Sequence, residues 1–165
     1  MQDWSIPLTL STAAFFAWLI WSVRPAIGWA PRRRPTRAAL KDARARIEAA
    51  ADPSARALAL CDAADIMAKS IGGAASAKAL YLRAIRSNPD SIQVVQRAAA
   101  GLASRPRALE SLLWRHLAAA PWAGPSRAAV LASLDTLRAL YEGPLRNSVR
   151  ARALVHARDS LEPAR

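Results

Sequence analysis

Apolar residues recur with the spacing of an α-helix along most of the chain after residue 36. One stripe shows the spacing i, i+4, i+7 and i+11 and consists of Val130, Leu134, Leu137 and Tyr141. Side chains at these intervals share one face of a helix. No stretch alternates between apolar and polar residues with period two, as a half-buried strand would. The pattern therefore predicts an all-α fold.

Proline, glycine and short polar side chains divide this pattern into seven helices. Asp52-Pro53 and Gly124-Pro125 each place a proline at a first helical position, while Gly72-Gly73 and Gly143-Pro144 end helices. The predicted helices cover residues 36–50, 53–70, 74–87, 91–103, 106–119, 125–142 and 144–161. Since the links are short, neighbouring helices should run antiparallel and form a chain of helix hairpins.

Two of these helices have apolar faces that predict which residues are buried. In the predicted helix over residues 106–119 the apolar stripe consists of Leu109, Leu112, Leu113, Trp114 and Leu117, which should be well buried. In the last helix the residues expected to face inward are Leu145, Val149, Ala153 and Leu161, with the arginines outside. Trp122 follows between prolines and glycine, and burial against a neighbouring hairpin is favoured over an exposed position.

A second pattern occupies the beginning of the chain, where residues 4–23 carry no charge. A helix of about 20 apolar residues spans the hydrocarbon core of a bilayer. A cleaved signal peptide is disfavoured because Asp3 and no basic residue precedes the segment. The segment from Trp4 to Val23 therefore predicts a transmembrane anchor over residues 1–24, a linker over 25–35 and a helical domain over 36–163. By the positive-inside rule the protein would be single-pass in the inner (plasma) membrane, with the N-terminus outside and the domain cytoplasmic.

Charge adds a preference for anionic surfaces. The chain has 24 Lys and Arg against 12 Asp and Glu, a net charge of +12. Residues expected to contact the membrane surface, with anionic lipid headgroups as a further ligand, are Trp29, Arg32, Arg33, Arg34 and Arg37. An equally acceptable interpretation is that these charges only set the topology. Nucleic acid is not favoured, because the stretch lacks interleaved aromatic residues.

One hairpin carries a family resemblance. Ala77, Tyr81, Ala84 and Pro89 show the spacing A-x3-Y-x2-A-x4-P. This spacing resembles the second half of a tetratricopeptide repeat, and the resemblance covers about one repeat, residues 53–90. It implies a solenoid that binds peptide segments or other proteins in a groove formed by the first helix of each hairpin. The groove residues it implies are Arg56, Asp62, Lys69, Gln93, Gln96 and Arg97, which could equally form an ordinary solvated face.

The residues that usually carry catalysis or bind metals form no recognisable motif. His116 and His156 lack a ligand at metal-binding spacing, and His116 is best explained as a helix-face residue. Cys61 is the only cysteine and is expected in the core, while Asp62 and Asp65 can be neutralised by Arg56 and Lys69 on the same helix. We therefore expect no enzyme activity, no metal and no cofactor.

Three hypotheses about function follow from these features. The first is a membrane-anchored helical-repeat adaptor or scaffold that binds a protein partner at the cytoplasmic face. The second is an accessory or assembly subunit of a membrane complex, held mainly through its transmembrane helix. The third is an electrostatic module for anionic lipid or nucleic acid.

Overall fold

The computed structural model describes residues 37–161, and this part of the chain folds entirely into helices and short links. In chain order the helices are α1 (Arg37–Ala49), α2 (Pro53–Ala68), α3 (Ala74–Ser87), α4 (Ile92–Gly101), α5 (Pro106–Ala119), α6 (Arg127–Glu142) and α7 (Ser148–Asp159). A 3-10 turn, Gly124–Ser126, precedes α6. The all-α prediction is confirmed for these residues, and most predicted helix ends are within two residues of the observed ones.

Local capping explains why the helices begin where they do. The Asp52 carboxylate accepts a hydrogen bond from the backbone N–H of Ala55 at 2.6 Å, and Pro53 occupies the first turn. Ser91 caps α4 through the N–H of Val94 at 3.4 Å. Each cap satisfies one backbone donor that the first turn of a helix leaves without a partner.

The last helix begins later than predicted. It starts at Ser148 rather than at Pro144, and Asn147 caps it by accepting a hydrogen bond from the N–H of Arg150 at 3.0 Å. The link before it contains Arg146 at φ 46°, in the left-handed region that a right-handed helix cannot continue through. The prediction was wrong because proline at 144 was taken as a first helical residue.

The buried face of α7 also differs from the predicted one. Ala151 and Leu154 are buried, whereas Val149 is 69% exposed and Ala153 is exposed. Ala151 and Leu154 lie three positions apart and therefore on one side of the helix. Since α7 packs on α6 through this side, the predicted inward residues Val149 and Ala153 lie away from it.

The helices pack as successive hairpins. Helix α2 packs against α3, and α6 packs against α7. The first helices of the hairpins form a row in which α4 contacts both α2 and α6, while α3 contacts α5 in a second row. Within the described part of the chain, the backbone of α1 packs on α2 alone and the backbone of α7 packs on α6 alone. The result is a stack of hairpins rather than a bundle around one axis.

A continuous apolar core runs through this stack. Ala77, Tyr81 and Ala84 are completely buried in the seam between α2 and α3, opposite the equally buried Ala57 and Ala64. Alanines on both helices allow their backbones to approach, and the Tyr81 ring fills the remaining space. The predicted stripe on α6 is confirmed, because all four of its residues are buried.

No helix between residues 37 and 161 combines the length and the apolar character that a bilayer crossing requires. The longest, α2 and α6, have 16 residues and extend about 24 Å, less than the roughly 30 Å of the hydrocarbon core. The predicted anchor, Trp4 to Val23, lies outside the described residues. The fold prediction is corrected accordingly: residues 37–161 form an all-α stack of hairpins in which no helix could span a membrane. The single-pass inner-membrane location with a cytoplasmic domain depended on the predicted transmembrane helix and is withdrawn with it.

Candidate functional site

The residues predicted to form a groove are brought together only in part. Arg97 on α4 donates from Nη2 to Oδ1 of Asp62 on α2 at 2.7 Å, and also to Asp65 one turn further along α2. Arg46 on α1 reaches the other oxygen of Asp62 at 3.4 Å. These ion pairs connect three helices, so Asp62 and Arg97 are engaged within the protein.

The Tyr81 hydroxyl belongs to the same network and donates a hydrogen bond to Asp65. Burial and this hydrogen bond raise the pKa of Tyr81, so its phenol stays protonated. Partial burial alone would lower the pKa of Arg97, but hydrogen bonds with Asp65 and Asp62 outweigh that effect and raise it. Asp62 and Asp65 of α2 are therefore neutralised by Arg97 of the neighbouring helix α4, rather than by basic residues of their own helix.

The other four predicted groove residues have exposed side chains. Lys69 borders a cavity of about 390 Å³ between α2 and α4, together with Asp65 and Arg97. Arg56, at the start of α2, and Gln93 and Gln96, on α4, are exposed. Their role in binding stays a prediction.

The predicted membrane-surface residues lie almost entirely outside the described part of the chain. These residues are Trp29, Arg32, Arg33 and Arg34. Arg37 is the first residue of α1.

Cys61 and His116 are both buried, with different consequences for the predictions. Burial of Cys61 confirms the core assignment and raises the pKa of its thiol to about 11, so the thiolate is scarce near neutral pH. His116, predicted as a helix-face residue, lies on the buried face of α5. Its Nε2 lies 3.1 Å from the Pro89 carbonyl oxygen, and its Nδ1 lies 2.8 Å from the Ser133 hydroxyl.

His116 therefore connects α5 to α6 and to the link before α4, which is a structural role. Burial lowers its pKa, so the ring is neutral near pH 7. Within residues 37–161, no group of three or more His, Cys, Asp or Glu side chains is placed to hold a metal ion.

Two tryptophans in the described part of the chain leave a large part of their side chains exposed. Trp114 on α5 is 42% exposed and Trp122, in the link before α6, is 39% exposed. The Trp114 indole N–H donates to the Tyr141 hydroxyl at 3.0 Å, and that of Trp122 donates to the Leu117 carbonyl oxygen at 2.8 Å. Both indoles are thus held in fixed positions while a large part of each remains accessible.

Both predictions of tryptophan burial are therefore wrong. Trp114 lies about 100° around α5 from Leu113, at the edge of the apolar stripe rather than at its centre. The stripe is buried at Leu109, Leu112, Leu113 and Leu117, while Trp114 extends beyond it. The sequence signal for the site was an indole at the edge of a helix face, followed by a second indole between prolines.

The tryptophans line a cavity of about 660 Å³ that we call the tryptophan cleft. Its lining residues are Glu110, Trp114, Trp122, Leu134, Arg150, Ala153, Leu154 and Ala157. They belong to α5, α6, α7 and the link between α5 and α6. No Cα atoms of α5 and α7 come within 8 Å of each other, so the cleft separates the second helices of two hairpins.

Polar groups close one edge of the tryptophan cleft. Glu110 accepts hydrogen bonds from the Tyr141 hydroxyl at 2.5 Å and from Nη1 of Arg150 at 3.1 Å. The Arg150 guanidinium also lies over the Tyr141 ring, 5.6 Å from its centroid. Its hydrogen bonds with Tyr141 and Glu110 raise the pKa of Arg150, so it carries a permanent positive charge.

Comparison with known proteins adds no relative from which a function could be transferred. No protein-family model matches the chain, and neither a curated protein nor a solved structure matches it.

Proposed function

We propose that this protein is a non-enzymatic helical-hairpin module, an adaptor that binds a segment of another protein. The observation that carries the proposal is the tryptophan cleft, in which two half-exposed indoles lie beside an apolar cavity. Tryptophan is the residue most enriched at the energetic centres of protein interfaces. Exposed apolar surface at a concave site is also typical of recognition surfaces.

The rigidity of the cleft supports this function. Because Trp114 is held by Tyr141, and Trp122 by the end of α5, neither indole has to be ordered when a ligand binds. Ordering a mobile side chain at an interface costs about 0.5–1.5 kcal/mol, and this cost is largely avoided here. The site is therefore preorganised for binding.

The stacking of the hairpins also supports a binding role. The row formed by α2, α4 and α6 is the arrangement that the tetratricopeptide resemblance implies for its groove. The tryptophan cleft, however, is bordered by α5 and α7, the second helices of their hairpins. We favour the cleft over the first-helix row because Asp62 and Arg97 in that row already bind each other.

The chemistry of the cleft favours binding over catalysis. Its two charged lining residues, Glu110 and Arg150, are hydrogen-bonded to each other. The buried thiol of Cys61 and the neutral ring of His116 are not among the residues that line it. A catalytic site would need a nucleophile or base that can reach a substrate.

Site-specific photo-crosslinking in the native cells tests the proposal. The full-length chain would carry p-benzoylphenylalanine in place of Trp114 or, separately, Trp122. Ile71, an apolar residue that is 65% exposed in the link between α2 and α3, provides the matched control position. We expect a discrete crosslinked protein from positions 114 and 122 and none from position 71. The same products from all three positions, or none from positions 114 and 122, would refute the proposed function.

A further inference from the structure

We propose that the ligand of the tryptophan cleft is an acidic amphipathic α-helix of three to four turns. This inference rests on the proposed function and specifies the chemistry of its partner. It combines the shape of the cleft, the character of its lining and the charge of the surrounding domain.

The shape of the cleft suits a helix. Its two walls are helices of 14 and 12 residues, α5 and α7, which extend about 18–21 Å. Packed helix axes lie about 8–10 Å apart, and a bound helix would have to approach each wall to that distance. On α7, Ala153 and Ala157 lie one turn apart and line the cleft, where their small side chains allow close approach.

The lining suits an apolar ridge on that helix. Leu134 of α6 and Leu154 of α7 are buried and form the base of the cleft, while Trp114 and Trp122 remain partly exposed beside them. Helix-in-groove recognition uses apolar residues spaced at i, i+3 or i+4, and i+7, which fill such a site. A small polar molecule fits less well, because it needs several converging polar groups and the cleft offers only the Glu110–Arg150 pair at one edge.

Charge selects an acidic partner. Residues 38–161 contain 18 Lys and Arg and 10 Asp and Glu, which leaves a net charge of +8. Glu110, the only acidic residue that lines the cleft, already accepts hydrogen bonds from Tyr141 and Arg150. The Arg150 side chain is 60% exposed, and its hydrogen bonds with Glu110 and Tyr141 both use Nη1. Its other donors can bind a carboxylate of the ligand, and the surrounding positive field favours approach of an acidic segment.

This inference can be tested with a displayed library of 14-residue helical peptides whose surface positions are randomised. The library is selected against the immobilised full-length protein. We expect the enriched peptides to combine an apolar ridge at i, i+3 or i+4, and i+7 with a net negative charge. Fluorescence anisotropy of a labelled enriched peptide should then show binding at least about tenfold weaker to Trp114→Ala. Arg150→Glu should weaken binding of the acidic peptide by a similar factor, and this effect should be larger at low salt than at high salt.

Two further variants make the test specific to the cleft. Ala153→Arg places a long side chain in the cleft and should abolish binding. Because position 153 is exposed on its helix, this variant should fold and gives a test of the cleft even if Trp114→Ala unfolds. Arg138→Glu makes the same charge change as Arg150→Glu, on α6 outside the cleft lining, and should bind nearly as well as the unaltered protein.

The possible results separate this inference from the proposed function. Enriched peptides that are neutral or basic, and whose binding depends on Trp114, would overturn the inference that the partner is acidic. The proposed function would still stand. Acidic peptides that bind Trp114→Ala and Ala153→Arg undiminished would overturn both, because the binding site would lie elsewhere. An absence of any enriched helix would overturn the present inference, and crosslinking from position 114 would then decide the proposed function independently.

Discussion

At the scale of single residues, Gly101 illustrates how one side chain excludes another. A Cβ atom added at this position would overlap the Tyr81 hydroxyl oxygen and lie 2.7 Å from the ring carbon Cζ. Tyr81 cannot move away freely, because it is completely buried and its hydroxyl is bonded to Asp65. Glycine at the end of α4 is therefore required by packing and not by backbone conformation.

The first prediction concerns this contact. Gly101→Ala should lower the free energy of unfolding by about 1–2 kcal/mol, because overpacking outweighs the gain in helix propensity. Denaturant titration of the unaltered and substituted proteins measures the change. In a Tyr81→Phe background the loss should be smaller, since the hydroxyl oxygen is gone. An equal or larger loss in that background would contradict the explanation.

His116 is the residue from which we expect a pH dependence of stability. Burial lowers its pKa below the ordinary value of 6.5, so between the two values the unfolded chain binds more protons than the folded chain. Its contribution to stability is therefore complete above about pH 6.5 and decreases as the pH falls below that value.

The second prediction follows from this sign. Between pH 7.5 and 5 the free energy of unfolding should fall less steeply for His116→Gln than for the unaltered protein. Urea titrations at several pH values measure both. Equal slopes for His116→Gln and the unaltered protein would show that His116 does not contribute.

At the scale of helices, the ion pairs of Arg97 connect α2 to α4 across neighbouring hairpins. The Arg97 side chain is 28% exposed, and its guanidinium is bonded to two carboxylates, Asp62 and Asp65. Arg138 and Glu142 form a contrasting pair within α6, one turn apart and exposed to solvent. Solvent and salt screen an exposed pair far more strongly than a partly buried one.

The third prediction compares these two pairs. Arg97→Ala should lower the free energy of unfolding by about 1–2 kcal/mol, because two partly buried carboxylates each lose one hydrogen-bonded partner and keep only Arg46 or Tyr81. Arg138→Ala should cause a much smaller loss. Thermal or chemical unfolding of both variants under the same salt conditions tests the difference. Losses of the same size would show that the link between α2 and α4 contributes no more than a surface pair.

At the scale of the whole described domain, stability should decrease toward both ends of the stack. Helix α1 packs only against α2 and buries only Ala43. Helix α7 packs only against α6, apart from the Arg150–Glu110 ion pair with α5, and buries Ala151 and Leu154. The central helices are covered on more than one side. The stability of stacked hairpins is approximately the sum of the stabilities of the individual hairpins and the energies of the interfaces between neighbours. Terminal units have fewer interfaces and therefore open first.

The fourth prediction is therefore an uneven pattern of hydrogen exchange. Amides of α1 and α7 should exchange at least about tenfold faster than those of α2, α3 and α6, because their local opening exposes little apolar surface. Hydrogen–deuterium exchange of the full-length protein, resolved by peptide, measures this. Uniform protection from α1 to α7 would indicate a single cooperative unit instead.

The sequence by itself determined the type and approximate limits of the helices between residues 37 and 161. Helix starts and ends depend on neighbouring residues, such as Asp52 at a cap or Gly72-Gly73 in a turn, and these signals are local. The burial of the Val130–Tyr141 stripe followed from helical spacing, and the burial of Cys61 from the preference of a lone cysteine for the core. The transmembrane prediction is corrected because no helix between residues 37 and 161 is long and apolar enough to cross a bilayer.

Only the tertiary structure decided which distant residues meet. Asp65 contacts Arg97 and Tyr81, which lie 32 and 16 positions away, and no periodicity within one helix specifies such a pair. The tryptophan cleft depends on the separation between α5 and α7, and the exposed side of α7 depends on the turn at Arg146. Helical spacing shows that a helix has an apolar face, but the relative placement of helices decides how much of that face is covered. The candidate binding site is a part that stays uncovered.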